Sequence, residues 1–141
     1  MIKTNYITVD LEIKRKGKFD ELCKKFEEYG SIAEYPSYHR VNKIVWSVNI
    51  DSPNPQKNPD ICIFKFCNFI KSLRGVPRQQ WNSSFHKNFN IGYEISQEHW
   101  AYESWVSSKT IKLAASIDAG ISITLYPFKE EVANQSINRT R

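Results

Sequence analysis

The sequence predicts an α+β fold: a single two-layer domain, with a mainly antiparallel or mixed sheet of four to five strands and about three helices on one face. Three observations carry this. The strand candidates alternate apolar with polar residues instead of running continuously apolar, which gives a sheet with one dry and one wet face. Stretches with apolar residues at helical spacing stand between them. About a quarter of the 141 residues are Leu, Ile, Val or Phe, enough for a chain of this length to bury a core without staples.

The elements follow in order. Ile7, Val9, Leu11 and Ile13 alternate with Thr8, Asp10 and Glu12 as a half-buried strand. Phe19, Leu22, Cys23, Phe26 and Tyr29 then recur at helical spacing, with Gly30 as the stop. Ser31 to Tyr35 reads as a short strand before Pro36. Trp46, Val48 and Ile50 alternate as the next strand, and Pro53 and Pro55 end it. Asn58-Pro59 has the form of a helix start, with Asn as cap and Pro at the first helical position. Ile63, Phe66, Phe69, Ile70 and Leu73 form its apolar stripe, closed by Gly75.

Val76 to Asn88 reads as a polar, irregular segment. Phe89, Ile91, Tyr93 and Ile95 alternate as a strand. Ser107 caps a last helix that carries Leu113, Ala114 and Ile117 and stops at Gly120. Ile121, Ile123 and Leu125 alternate with Ser122, Thr124 and Tyr126 up to Pro127. A strand, a helix, a Gly and a strand ending before Pro occur in both halves, so two similar strand–helix–strand units are one arrangement to expect; shared punctuation is the other. The domain is expected over 1–128, with 129–141 a flexible tail.

No run of about 18 apolar residues exists, and Met1 to Tyr6 lacks the segments of a signal peptide, so the expected compartment is the cytosol, without a membrane partner. Cys23, Cys62 and Cys67 are an odd set among large apolar residues and read as buried, reduced thiols. The net charge of +5 is local. Lys57, Lys65, Lys71, Arg74, Arg78 and Lys87 face only Asp60 between 57 and 92, a concentration that points to an anionic partner.

No catalytic site is read from the residues. His39, His86 and His99 flank strands, and none stands in a nucleophile elbow. No HExxH, CxxC or glycine-rich phosphate loop occurs, so neither metal nor cofactor is expected. The chemistry-bearing stretches are two. Arg74 to Lys87 mixes cations, amides and aromatics. Arg74, Arg78, Trp81 and Lys87 are candidate partner-binding residues there, because Arg and Trp anchor protein interfaces. The same mixture suits single-stranded nucleic acid, with phosphates on Arg78 and Lys87 and a base on Trp81. An ordinary loop with Trp81 folded onto the core is the third reading. His99 to Val106 holds two Trp and a Tyr. It is expected to form a lid over the sheet, and the sharper reading is an exposed patch with Trp100 and Tyr102 as anchors.

Trp105-Val106-Ser107-Ser108, the helix through Ile117, Gly120 and the strand Ile121 to Tyr126 resemble the ending of a bacterial domain-of-unknown-function family, number 4279, and the Trp46 strand is similar to that family's Trp-containing strand. The resemblance covers about a third of the chain and brings no catalytic residues. It implies a small single domain of the kind found among immunity proteins, which neutralise a delivered toxin. The expected function is therefore a non-enzymatic binding protein that contacts a cognate toxin, and the alternative is a nucleic-acid-binding module.

Overall fold

β1 (Asn5–Lys16) takes the centre of the sheet because it carries the most completely buried side chains of any strand: Val9, Leu11 and Ile13 all point to one face. A computed structural model describes residues 3–31, 37–38, 44–53, 58–98 and 100–128. The sheet order is β2 (Ser37–Tyr38), β3 (Val45–Asp51), β1, β4 (His86–Ile95), β5 (Gly120–Pro127). β1 pairs antiparallel with both β3 and β4, and β4 pairs parallel with β5. The register sets Leu11 between Ile50 and Phe89, and Ile13 between Val48 and Lys87.

Among the described residues four helices cover the apolar face: α1 (Asp20–Glu28), α2 (Pro59–Ser72), α3 (Gly75–Asn82) and α4 (Ser108–Ser116). Leu22, Cys23 and Phe26 of α1 meet Cys62, Ile63, Phe66, Cys67 and Ile70 of α2 in one core cluster with the strands. Aromatic edges organise it. Phe66 lies between Phe26 and Phe89, and Phe69 stacks on Tyr29 at 4.3 Å between ring centres. The fold is the expected α+β class with a mixed sheet.

Helix ends are tied across elements. Asn58 caps α2 as expected, accepting from Asp60 N at 2.7 Å, and Ser107 caps α4, accepting from Thr110 N at 3.2 Å. Phe19 precedes α1 and offers no such oxygen. Gln80 of α3 does the work instead: its Oε1 accepts from Leu22 N at 2.9 Å, and its Nε2 donates to Glu21. That bond, more than any other influence, holds the Glu21 carboxyl below its ordinary range. Asp60 similarly accepts from Ser107 N at 2.8 Å and joins the starts of α2 and α4. Desolvation pushes its carboxyl up, but hydrogen bonds from Ser107 and Thr110 outweigh it and leave the group below the usual carboxylate range.

Several expectations are corrected. Val76 to Asn88 is not irregular: it forms α3 and the start of β4. Pro77 falls in the first turn of α3, where its missing N–H costs nothing. Helix α2 ends at Ser72, and Gly75, at φ +63°, opens α3 rather than closing α2. The left-handed residue after α4 is Asp118, at φ +62°, not Gly120, which begins β5. The register of β1 shifts between Tyr6 and Thr8, so Ile7 leaves the core and Tyr6 packs there in its place. The suggested likeness of the two halves turns on the strand expected over 31–35, which lies almost wholly outside the described residues. Among the described strands, β4 and β5 are parallel neighbours, whereas β3 stands between β1 and β2. The expected strand over 31–35 and the tail over 129–141 lie almost wholly outside the described residues, of which only Ser31 is seen.

Gln80→Leu leaves the buried Leu22 N–H without an acceptor and is expected to cost about 1–3 kcal/mol, read as a lower urea midpoint at unchanged slope. A second expectation concerns alkali. Burial pushes the Cys23 and Cys67 thiols from 9.0 up to about 12. A raised folded pKa gives stability that is complete below the unfolded value and lost as pH rises towards the folded one. The urea midpoint should therefore hold up to about pH 8.5 and decline from about pH 9 to 12, with a shallower decline in Cys67→Ala.

Candidate protein-binding surface

Between β4 and α4 the described residues are 96–98 and 100–107, and few of them are buried. Ser96 N donates to Thr4 Oγ1 at 2.9 Å, which holds the exit from β4. Tyr93 is the inner post. Its ring meets Tyr6 and Tyr102 edge-on at 6.1 and 5.9 Å, and its hydroxyl donates to Ser104 Oγ at 2.7 Å. Val106 packs against the core. The indoles do not. Trp100 is 100% exposed and Trp105 68% exposed, so the expected lid is not formed and the aromatic side chains stand outward.

β5 continues this surface. Its odd residues share the dry side of the sheet with Phe89, Ile91 and Tyr93, yet Ile123 is 63% and Leu125 58% exposed. Two shallow grooves flank the strand. One of about 460 Å³ is lined by Tyr93, Ile95, Trp100, Tyr102, Ile123 and Leu125, and one of about 480 Å³ by Trp105, Val106, Ile111, Ala115, Ile121 and Ile123 among others. Scattered exposed apolar side chains are ordinary, whereas a contiguous patch is a mark of an interface. The other side of β5 is fixed by a polar chain. Asn88 Nδ2 donates to Glu12 Oε1 at 2.8 Å and to Ser122 Oγ at 2.7 Å, and the hydroxyls of Ser122 and Thr124 donate to Asn90 Oδ1 at 3.1 and 2.8 Å.

The residues expected to bind a partner divide. Trp100 and Tyr102 lie on this surface. Arg74 is exposed at the α2–α3 junction, its Nη1 donating to the carbonyls of Lys71 and Leu73 at 3.0 and 2.8 Å. Arg78 is half-buried and closes the end of α2, donating to Ile70 O at 3.1 Å. Trp81 and Lys87 are corrected outright. Trp81 is 1% exposed and its Nε1 donates to Ile117 O at 3.0 Å, so it lies on the core as the third reading had it, but from helix α3 and not from a loop. Lys87 is buried with its amine 5.5 Å from the Trp81 ring centre and 3.3 Å from Asp118 Oδ2. Trp81 fills the space α3 opens, and Lys87 reaches the surface only through Asp118. Sequence reasoning counted Trp105 in the aromatic stretch without naming it as an anchor, and passed over Ile123 and Leu125 because alternation marks them as dry-side residues and does not tell how far the helices reach.

A second, charged surface lies between α2 and α4. Phe64, Asn68, Lys71, Lys109 and Lys112 line a groove of about 560 Å³, with the Lys109 amine 5.2 Å from the Phe64 ring centre. The three cysteines are buried and free. Among the described residues no group of His, Cys, Asp and Glu is placed to hold a metal ion, and no helix is long and apolar enough to cross a membrane. His39 and His99 lie outside the described residues, and His86 is half-buried at the start of β4. Comparison with known protein families, with characterised proteins and with solved structures found no match.

The exposure pattern predicts which tryptophans carry the fold. Trp100→Ala and Trp105→Ala should each change unfolding free energy by no more than about 0.5 kcal/mol, whereas Trp81→Ala should cost about 3–5 kcal/mol, measured by urea unfolding followed by circular dichroism.

Proposed function

We propose that this chain is a protein-binding domain that acts by surface contact, and that its finer role is that of an immunity protein neutralising a cognate toxin. The observation that carries the first part is the contiguous exposed surface of Trp100, Tyr102, Trp105, Ile123 and Leu125. Tryptophan and tyrosine are the side chains that most often dominate binding energy when a partner buries them. The toxin as partner rests on the resemblance of the C-terminal third to a family of immunity-protein character. The contact is apolar at its centre, and the basic helix residues Lys71, Lys109 and Lys112 favour a partner with an acidic rim.

The alternative, nucleic-acid binding, is favoured by the α2–α4 groove, where three lysines stand without a carboxylate among the lining residues. The burial of Trp81 removes the ring on which a base was to stack.

Co-expression of the chain with the product of the neighbouring gene is expected to yield a stoichiometric complex. Trp100→Ala and Trp105→Ala should together weaken it at least about 100-fold. A complex indifferent to both changes would contradict the assigned surface. Binding to a labelled single strand that falls steeply with salt, in the absence of any protein complex, would transfer the function to the alternative.

A further inference from the structure

We propose that β5 pairs antiparallel with β5 of a second copy of this chain, about a two-fold axis through Ile123. The proposal rests on the reading of this surface as a protein interface and assigns its strand edge to one occupant. β5 closes the sheet order with β4 on one side, and among the described residues no strand pairs with its other side. A free edge strand is normally guarded by an inserted charge, a proline, a bulge or a very short length. β5 has none of these before Pro127. It is eight residues long, uncharged, and in unbroken register with β4 from Gly120 to Pro127.

The self-pairing follows from parity. A two-fold that sets two strands antiparallel in one sheet stands normal to that sheet, so every side chain keeps its face and opposed residue numbers have an even sum. With the axis at Ile123, Ile123 meets its own copy and Ile121 meets Leu125 on the dry side. On the wet side Ser122 meets Thr124 and Tyr126 meets Gly120, with the Tyr126 ring lying back over Gly92 of its own β4. Apolar faces apolar and hydroxyl faces hydroxyl from Ile121 to Leu125, and no like charges are brought together. An axis one residue earlier sets Asp118 against Tyr126, and one residue later sets Pro127 against Ile121. The axis at Ile123 is the one that uses the whole run from Gly120 to Tyr126. The resulting sheet is continuous across the two copies and carries both Trp100–Trp105 segments on the same side, so the pairing doubles the aromatic surface instead of hiding it.

Sedimentation equilibrium of the full chain tests this, with a species of about 33 kDa, twice the 16.5 kDa chain, expected at micromolar to sub-millimolar concentrations. Ile123→Lys, which sets two ammonium groups against each other at an exposed position, should return it to the monomer, with the thermal midpoint of the native chain diluted until it too is monomeric. Cysteine placement reads the register. Opposed residues sit about 4.5–5.5 Å apart between Cα atoms, within disulfide reach. Leu125 and its copy are separated by four residues along the strand, more than about 10 Å. With the native thiols buried, Ile123→Cys should form a linked dimer under mild oxidation at least tenfold faster than Leu125→Cys.

A chain that stays at 16.5 kDa at the highest concentration overturns the proposal, as does equal linkage at 123 and 125. Dimers that appear only after residues 129–141 are removed would also overturn it, giving the edge to the chain's own last segment. A monomer whose complex with a partner protein still collapses on Trp100→Ala and Trp105→Ala would refute the pairing alone. A dimer that binds no partner would keep the pairing and refute the wider reading.

Discussion

Among the described residues, four short helices cover the dry face over β1, β3 and β4 but leave much of β5 open, and the rest of the molecule follows from that shortfall. The hydrophobic effect asks only that apolar area leave water, and it does not say against what. Over the middle of the sheet the demand is met within the chain: Val9, Leu11, Ile13, Ile50 and Phe89 are wholly buried beneath α1 and α2. At the far edge Ile123 and Leu125 belong to the same apolar side, yet α4 buries only Thr110 and Ala114, with Leu113 partly buried against the core and Ile117 following the helix into it. Packed against α2 and carrying small side chains such as Ala114 and Ala115, α4 is too slight to roof β5.

The helical layer compensates for its short elements by sharing their ends. Gln80 caps α1 from α3, Asp60 links the start of α2 to that of α4, and Trp81 ties α3 to the residue after α4. Each bond joins residues at least 36 apart in sequence. This is why a stretch as polar as Arg74 to Lys87 is structured: its amides, indole and amine are spent inside the protein. A solvated or partner-facing role for Trp81 and Lys87 is incompatible with that use.

The same contrast explains what could be read from the sequence. Alternation in β1, β3, β4 and β5, the Asn58 and Ser107 caps and the apolar stripes of α1 and α2 are local signals, and they gave the class and nearly every element. Helix α3 was not legible because it has two turns, a polar composition and only Gln80 and Trp81 facing inward. The bulge at Ile7 arises in the pairing of β1 with β4, far away in the chain. The left-handed Asp118 closes α4 locally, with Ala119 N donating to Ala114 O at 2.9 Å, at a position where the sequence has no glycine to mark it. At the candidate surface Trp100 and Tyr102 were legible as aromatics outside any periodic pattern. Ile123 and Leu125 were not, since a residue on the dry side becomes a surface residue only when nothing arrives to cover it. That outcome depends on helix length and placement across the whole fold.

A strand edge and an aromatic segment that share one side of a sheet are a coherent means of recognition: main-chain groups supply direction and indoles supply area. Hydroxyl-radical footprinting of the dilute full chain tests the premise most directly. The account predicts rapid oxidation of Trp100, Trp105 and Leu125 with Trp81 protected until the protein unfolds. Protection of Trp100 and Trp105 comparable to that of Trp81 would contradict it.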